Sequence, residues 1–245
     1  MELDVRLALD NKIKSYYKLT GDSYNNYDED NYMQGGTMLC KISDNGTKII
    51  KTVKPSYLDS NAVKNCYFNE LKALNKLKIK TRVLDNLVLE TEYKGRTLYD
   101  LIKSNEISYR TYLYVCLETL KAISKLHKRG IIHGDVKFNN VCIDNKCKVN
   151  LIDYGCSSII KEHKKREDYR TYNKFSRENK KELNYEQKVI DDWYEFNGAM
   201  KHFTEKFAAI NNDVREEFLD KIKSVNNYNY KKMEKLIREE MIKVG

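Results

Sequence analysis

Between residues 127 and 155 the chain reads HKRGIIHGDVKFNNVCIDNKCKVNLIDYG, and its polar residues are of types that a core would not choose. His133, Asp135, Lys137 and Asn140 fall close together, after the apolar pair Ile131-Ile132. Lys148-Val149-Asn150-Leu151-Ile152 then reads as a short buried strand, and it runs directly into Asp153, Tyr154 and Gly155. Asp, Asn and Gly favour turns, so two strands joined by ordinary turns would account for part of this pattern. Turns do not require a carboxylate, a cation and two oxygen ligands in a fixed order. That set suits phosphoryl transfer, in which the protein mainly positions groups and stabilises charge. Asp135 is the candidate base for an attacking hydroxyl, and Lys137 is the cation for the moving phosphate. Asn140 and Asp153 are the candidate metal ligands, and their oxygens suit magnesium.

HGDVKFNN resembles the H-x-D-x-K-x-x-N catalytic loop of eukaryotic-type Ser/Thr protein kinases, and Asp153-Tyr154-Gly155 resembles their D-F-G. The spacing from Asp135 to Asp153 fits that family, and the lysine two places after Asp135 favours protein kinases over small-molecule kinases of the same superfamily. The resemblance implies an α+β, bilobal protein-kinase-like fold. A small β-rich lobe with an extra N-terminal helix would span residues 1–93, and a reduced helical lobe would span 94–245. It also implies ATP and Mg2+ held between the lobes, and transfer of the γ-phosphate to protein Ser/Thr hydroxyls.

The elements that must position these groups can be read in order. Residues 2–18 suit a helix of moderate periodicity, and 20–34 suit a polar loop with an acidic run at Asp28-Glu29-Asp30. Met38, Cys40 and Ile42 alternate, Asp44-Asn45-Gly46 turns the chain, and Lys48 to Val53 alternates again, which predicts a hairpin. Within the resemblance, Ile49-Ile50-Lys51 matches V-A-I-K and makes Lys51 the lysine that holds the ATP phosphates, with Lys54 as its rival on the opposite face. Residues 60–78 suit a helix capped by Ser60, with a stripe of Val63, Tyr67, Leu71, Leu74 and Leu77. Glu70, one place off that stripe, resembles the glutamate that pairs with the strand lysine. Gly36-Thr37-Met38 matches the end of the family's glycine-rich loop, but the earlier glycines are absent. Gly35 and Gly36 are therefore candidate phosphate contacts in an altered flap, since close backbone approach needs small residues.

Residues 81–93 suit two short strands, followed by a helix from near Thr97. In the resemblance Thr91 is the gatekeeper, and Glu92, Tyr93 and Lys94 form the hinge that binds adenine through backbone groups. Residues 107–128 suit a strong helix that delivers His133, while His127 and His163 read as ordinary surface groups. Gly134 replaces the arginine common before the catalytic aspartate; that arginine gathers a phosphorylated loop, so activity without loop phosphorylation is expected. The tract after Gly155 has no A-P-E, and its Lys164-Lys165-Arg166 cluster reads as a solvated face in preference to a site for acidic or phosphorylated substrate. Residues 187–205 resemble a buried helix opening with D-x-W, in which Asp191 would hold the catalytic-loop backbone and Trp193 would pack beneath it. H-G-D, D-Y-G and the closing NYNYKKMEKLI place the resemblance in the casein kinase I and vaccinia-related kinase branch, although the chain after Asp153 is short for it.

With 245 residues, 41% hydrophobic and 33% charged, the chain has enough apolar content for one large domain or two lobes. No apolar run is long enough to cross a bilayer, and MELDVRLALDNKIK lacks the apolar core of a signal peptide. The net charge of +9 leaves nucleic acid open, but carboxylates are interspersed and no nucleic-acid module is visible. Six cysteines without C-x-x-C exclude a common zinc site and fit a reducing compartment: the cytoplasm, or a host cytoplasm or nucleus if the gene is viral or an effector. A monomer acting on a protein substrate is expected. The altered flap motivates a second reading, a pseudokinase that serves as a binding module. A third is a compact atypical kinase or ATPase of a larger complex, such as the small kinase of tRNA-modifying assemblies, against which Asp135-x-Lys137 argues.

Overall fold

The computed structural model describes residues 32–34, 37–43, 45–159, 185–210, 216–225 and 229–244. The helix expected over 2–18, the acidic run at 28–30, Gly35, Gly36, His163 and the Lys164-Lys165-Arg166 cluster lie outside the described residues. The chain divides into two compact units, Met1–Tyr93 and Lys94–Gly245.

In the first unit, β1 (Tyr32–Gln34), β2 (Met38–Ile42), β3 (Lys48–Val53), β4 (Thr81–Asp85) and β5 (Val88–Glu92) form one antiparallel sheet in the order β1-β2-β3-β5-β4. The hairpin between β2 and β3 turns where Asn45-Gly46 requires it. Gly46 has φ +66°, and the Asn45 side-chain oxygen accepts from the Thr47 N–H at 3.1 Å. The alternation in β2 runs in the opposite phase to that expected. Leu39 and Lys41 are buried, whereas Met38, Cys40 and Ile42 are half-buried. The reason is that β3 is covered on both faces, so the apolar residues of β2 do not mark a single inward side. Lys41 lies across from Ile50 and is fully buried, and Cys40 lies across from Lys51 on the other face.

Helix α1 (Asn61–Leu77) starts where Ser60 accepts from the Val63 N–H, and it ends on Lys78 in the left-handed conformation at φ +59°. Its buried stripe is Val63, Tyr67, Glu70, Ala73 and Leu74. Glu70 thus sits on the stripe itself and not beside it.

The second unit opens with β6 (Arg96–Thr97) and α2 (Leu98–Lys103), with the Thr97 hydroxyl accepting from the Asp100 N–H. Helix α3 (Tyr109–Lys128), capped by Ser108, runs to the pair β7 (Ile131–Ile132) and β10 (Ser158–Ile159). Between them, β8 (Val141–Ile143) and β9 (Val149–Leu151) form a hairpin with β6 on its edge. Helices α4 (Tyr185–Ile210), α5 (Glu216–Lys223) and α6 (Tyr230–Lys243) complete the unit. The core is aromatic: Phe138 meets Tyr112 edge-on at 6.0 Å and stacks on Phe203 at 5.0 Å. The Tyr112 hydroxyl donates to Met200 O at 2.7 Å, which ties α3 to α4 and satisfies a group that burial holds far from ionising. All six cysteines are free thiols, and burial raises the Cys116 thiol well above its ordinary range. No helix among the described residues is long and apolar enough to cross a membrane.

Two glycines of this unit make opposite predictions. Gly95 has φ +87°, and a Cβ there would lie 1.9 Å from Ile143 O, whereas nothing lies within 4 Å of a Cβ on Gly198 in α4. Gly95→Ala is expected to cost about 2 kcal/mol or more and Gly198→Ala to be neutral or stabilising by up to about 1 kcal/mol, read from urea unfolding midpoints.

Candidate active site

Candidate residues occur in each unit. In the first, Lys51 of β3 is buried because both faces of that strand are covered, and an unpaired ammonium there would cost several kcal/mol. Lys51 Nζ lies 2.7 Å from Glu70 Oε1, and the two side chains are 8% and 4% exposed. The pair explains why a glutamate occupies the apolar stripe of α1. It leaves an aligned cation on a rigid strand. Glu92 ends β5 exposed, and Lys94, half-buried, begins the second unit. Gly35 and Gly36 lie outside the described residues.

In the second unit, the loop from His133 to Asn140 gathers its polar groups on Asp135. Lys137 Nζ lies 2.6 Å from Asp135 Oδ2. Asn140 Nδ2 donates to that same oxygen and to the Asp135 carbonyl, both at 2.9 Å. This orientation turns the Asn140 amide nitrogen inward and leaves its oxygen for another partner. Burial alone would pull the Lys137 ammonium down. The Asp135 carboxylate, by charge and hydrogen bond, and then the Asp153 carboxylate outweigh burial and hold it above the ordinary lysine range. Asp153 itself stands at φ +65°, a conformation that costs a non-glycine residue of order 1 kcal/mol or more.

Asp153 is tied to the loop through its predecessor. The Ile152 N–H donates to Asn140 O at 3.0 Å, and Ile152 O lies 3.0 Å from His133 Nε2. The loop backbone is in turn held by α4. Asp192 Oδ2 accepts from the His133 N–H at 2.8 Å, and Oδ1 accepts from the Gly134 N–H at 2.7 Å. One turn on, Glu195 accepts from the Val136 N–H at 2.7 Å. Gly134 has φ +78°, and a Cβ there would lie 2.4 Å from Cys156 O, so the segment after Asp153 packs directly on bare backbone.

Oxygen donors are what this loop can offer a metal: Asn140 Oδ1 and the Asp153 carboxylate. No cluster of three or more His, Cys, Asp or Glu that could hold a metal occurs among the described residues. A hard cation shared between one amide, one carboxylate and phosphate oxygens needs no such cluster.

A model described as "Protein kinase domain" matches residues 34–194, well over half of the chain. The chain belongs to the protein kinase domain family. Its relatives include the serine/threonine-protein kinase ste20 of Aspergillus oryzae, 31% identical over 132 residues that make up 50% of this chain and 16% of that protein. The serine/threonine-protein kinase CLA4 of Candida albicans is 31% identical over 138 residues, 51% of this chain and 14% of that protein. The serine/threonine-protein kinase PAK 5 of Rattus norvegicus is 33% identical over 84 residues, 34% of this chain and 12% of that protein. The match thus spans less than a fifth of the length of these relatives.

In this kinase domain two readings of the sequence need correction. The backbone of the catalytic loop is held by Asp192, not Asp191. The helical phase of α4 decides this: Val189, Asp192, Trp193, Phe196, Met200 and Phe203 form its buried stripe, and Asp191 falls off it. His127 is not a surface group. It lies 9% exposed at the end of α3, one helical turn past buried Ile123, with Nε2 2.8 Å from Asp192 Oδ2. Glu195, and Tyr230, whose hydroxyl lies 2.7 Å from His127 Nδ1, are functional contacts that the sequence does not single out, because their partners lie far along the chain.

Removing the Glu70 carboxylate leaves a buried ammonium without this partner. Glu70→Ala is therefore expected to destabilise the domain by about 3–5 kcal/mol, seen as a lower thermal or urea midpoint. Gly134→Ala must displace the Cys156 carbonyl, and it is expected to lower the midpoint by the equivalent of about 2 kcal/mol or more.

Proposed function

We propose that this chain is a catalytically active kinase domain that transfers the γ-phosphoryl group of ATP to Ser or Thr hydroxyls of a protein substrate. The observation that carries the reading is the arrangement on Asp135, whose single carboxylate receives both Lys137 and Asn140 while its backbone is fixed from α4. Asp135 is 8% exposed, and its carboxylate accepts the hydrogen bond of the attacking hydroxyl. Lys137, kept cationic by its neighbours, offsets the charge on the transferred group. Lys51, braced by Glu70, binds the nucleotide phosphates, and backbone groups of Glu92 and Lys94 receive the adenine. Gly35 and Gly36 belong to the flap over the phosphates. Asn140 and Asp153 would hold Mg2+, which, when bound, would neutralise charge on the phosphates.

Position 134 supports activity that does not await phosphorylation of the segment after Asp153. An arginine there would need a Cβ where the Cys156 carbonyl stands. The substrate is a protein; the Ste20, CLA4 and PAK names among the relatives favour that class over small molecules. Placement in the casein kinase I and vaccinia-related branch rests on H-G-D, D-Y-G and the closing helix, and these relatives do not add to it. The active unit is a monomer, working in a reducing compartment where its six thiols stay free.

The test is transfer of labelled phosphate from Mg-ATP to a Ser/Thr peptide library. Asp135→Asn is expected to lower kcat by about 10²–10⁴-fold with the KM for ATP within about threefold of wild type. Label appearing only as free phosphate, or equal transfer by wild type and Asp135→Asn, would refute the reading.

A further inference from the structure

Resting on the kinase reading, we infer that Tyr230 of the last helix is a positioning residue for phosphoryl transfer, acting on the catalytic loop through His127 and Asp192. The chain of contacts is continuous. The Tyr230 hydroxyl lies 2.7 Å from His127 Nδ1, and His127 Nε2 lies 2.8 Å from Asp192 Oδ2. Asp192, fully buried, accepts from the N–H groups of His133 and Gly134 with its two oxygens. Asp135 is the next residue.

The direction of each bond follows from donor and acceptor chemistry. The Asp192 carboxylate only accepts, so the imidazole proton lies on Nε2 and points at Oδ2. With the ring in its neutral form, Nδ1 is then an acceptor, and the Tyr230 O–H donates to it. A Tyr230 hydroxyl donating to Nδ1 therefore fixes the tautomer that serves Asp192. If the ring carried its proton on Nδ1, its Nε2 lone pair would face the carboxylate. That repulsion would fall on the oxygen that holds the His133 N–H.

The relay spans three helices that meet only in the tertiary structure. Tyr230 opens α6, His127 closes α3 and Asp192 lies in α4. Packing holds the tyrosine in register: its ring meets Trp193 edge-on at 5.4 Å and His127 at 6.0 Å. Trp193 follows Asp192 directly, so the tyrosine touches the relay both through its hydroxyl and through its ring. A phenylalanine at 230 keeps the ring contacts and removes only the donor.

Tyr230→Phe is the deciding variant, with Tyr194→Phe, exposed on α4, as control. Three readouts are taken on the full chain. Two-bond ¹H–¹⁵N spectra report the His127 tautomer, amide hydrogen exchange reports His133 and Gly134, and steady-state kinetics use Mg-ATP with a Ser/Thr peptide. In wild type the ring is expected as a single Nε2–H tautomer. In Tyr230→Phe the Nδ1 signal moves toward that of a non-bonded nitrogen, and the two amides exchange about fivefold faster or more. Its kcat falls about three- to tenfold, the range set by one neutral hydrogen bond, while both KM values stay within about twofold. A lower melting midpoint with unchanged kcat, ring signals or amide exchange overturns the assignment, because a purely structural tyrosine does just that. If wild type transfers no phosphate, the kinase reading fails, and the ring and amide readouts still decide whether the relay exists.

Discussion

A carboxylate withdrawn from water costs several kcal/mol unless its oxygens are satisfied, and Asp192 is wholly withdrawn. Its two oxygens accept from the backbone N–H groups of His133 and Gly134 and meet the ring of His127. That one group converts the buried face of α4 into a mould for the loop that ends in Asp135. Remove it, and two backbone donors lose their partner where water does not reach. The loop has little regular structure of its own, with a single 3-10 turn at Phe138–Asn140, so it borrows rigidity from the helix beneath. Asp135, Lys137 and Asn140 stand on this borrowed rigidity, as the proposed positioning role requires.

The first unit solves a similar problem with an ion pair. Lys51 in the covered strand β3 and Glu70 on the buried face of α1 each meet the other's opposite charge. In both cases a buried charged group is met by a partner already placed. The partner comes from a different secondary-structure element each time, so the polar groups also fix how the elements pack within their unit.

Much of this was written locally. Asn45-Gly46 set the hairpin, Ser60 the start of α1 and Thr97 the start of α2, and the run from His133 to Asn140 marked the loop whose polar groups gather on Asp135. What local reading missed was partnership across long separations. Glu70 falls off a stripe drawn through the apolar Leu71 and Leu77, yet the buried face runs through Glu70 and Ala73, where Lys51 meets the carboxylate. The D-x-W resemblance points to Asp191, whereas the helical phase of α4 puts Asp192 on the buried face. His127 looked idle because its partners come from α4 and α6, far along the chain. The phase of β2 misled because a strand beside one covered on both faces need not alternate in the expected sense.

The contact between Gly134 and the Cys156 carbonyl also limits what can stand at this position. Any side chain there, arginine included, would arrive where main chain already stands. The loop and the segment after Asp153 would have to move apart to admit it. The glycine thus fastens one backbone segment to another by contact of main chain with main chain.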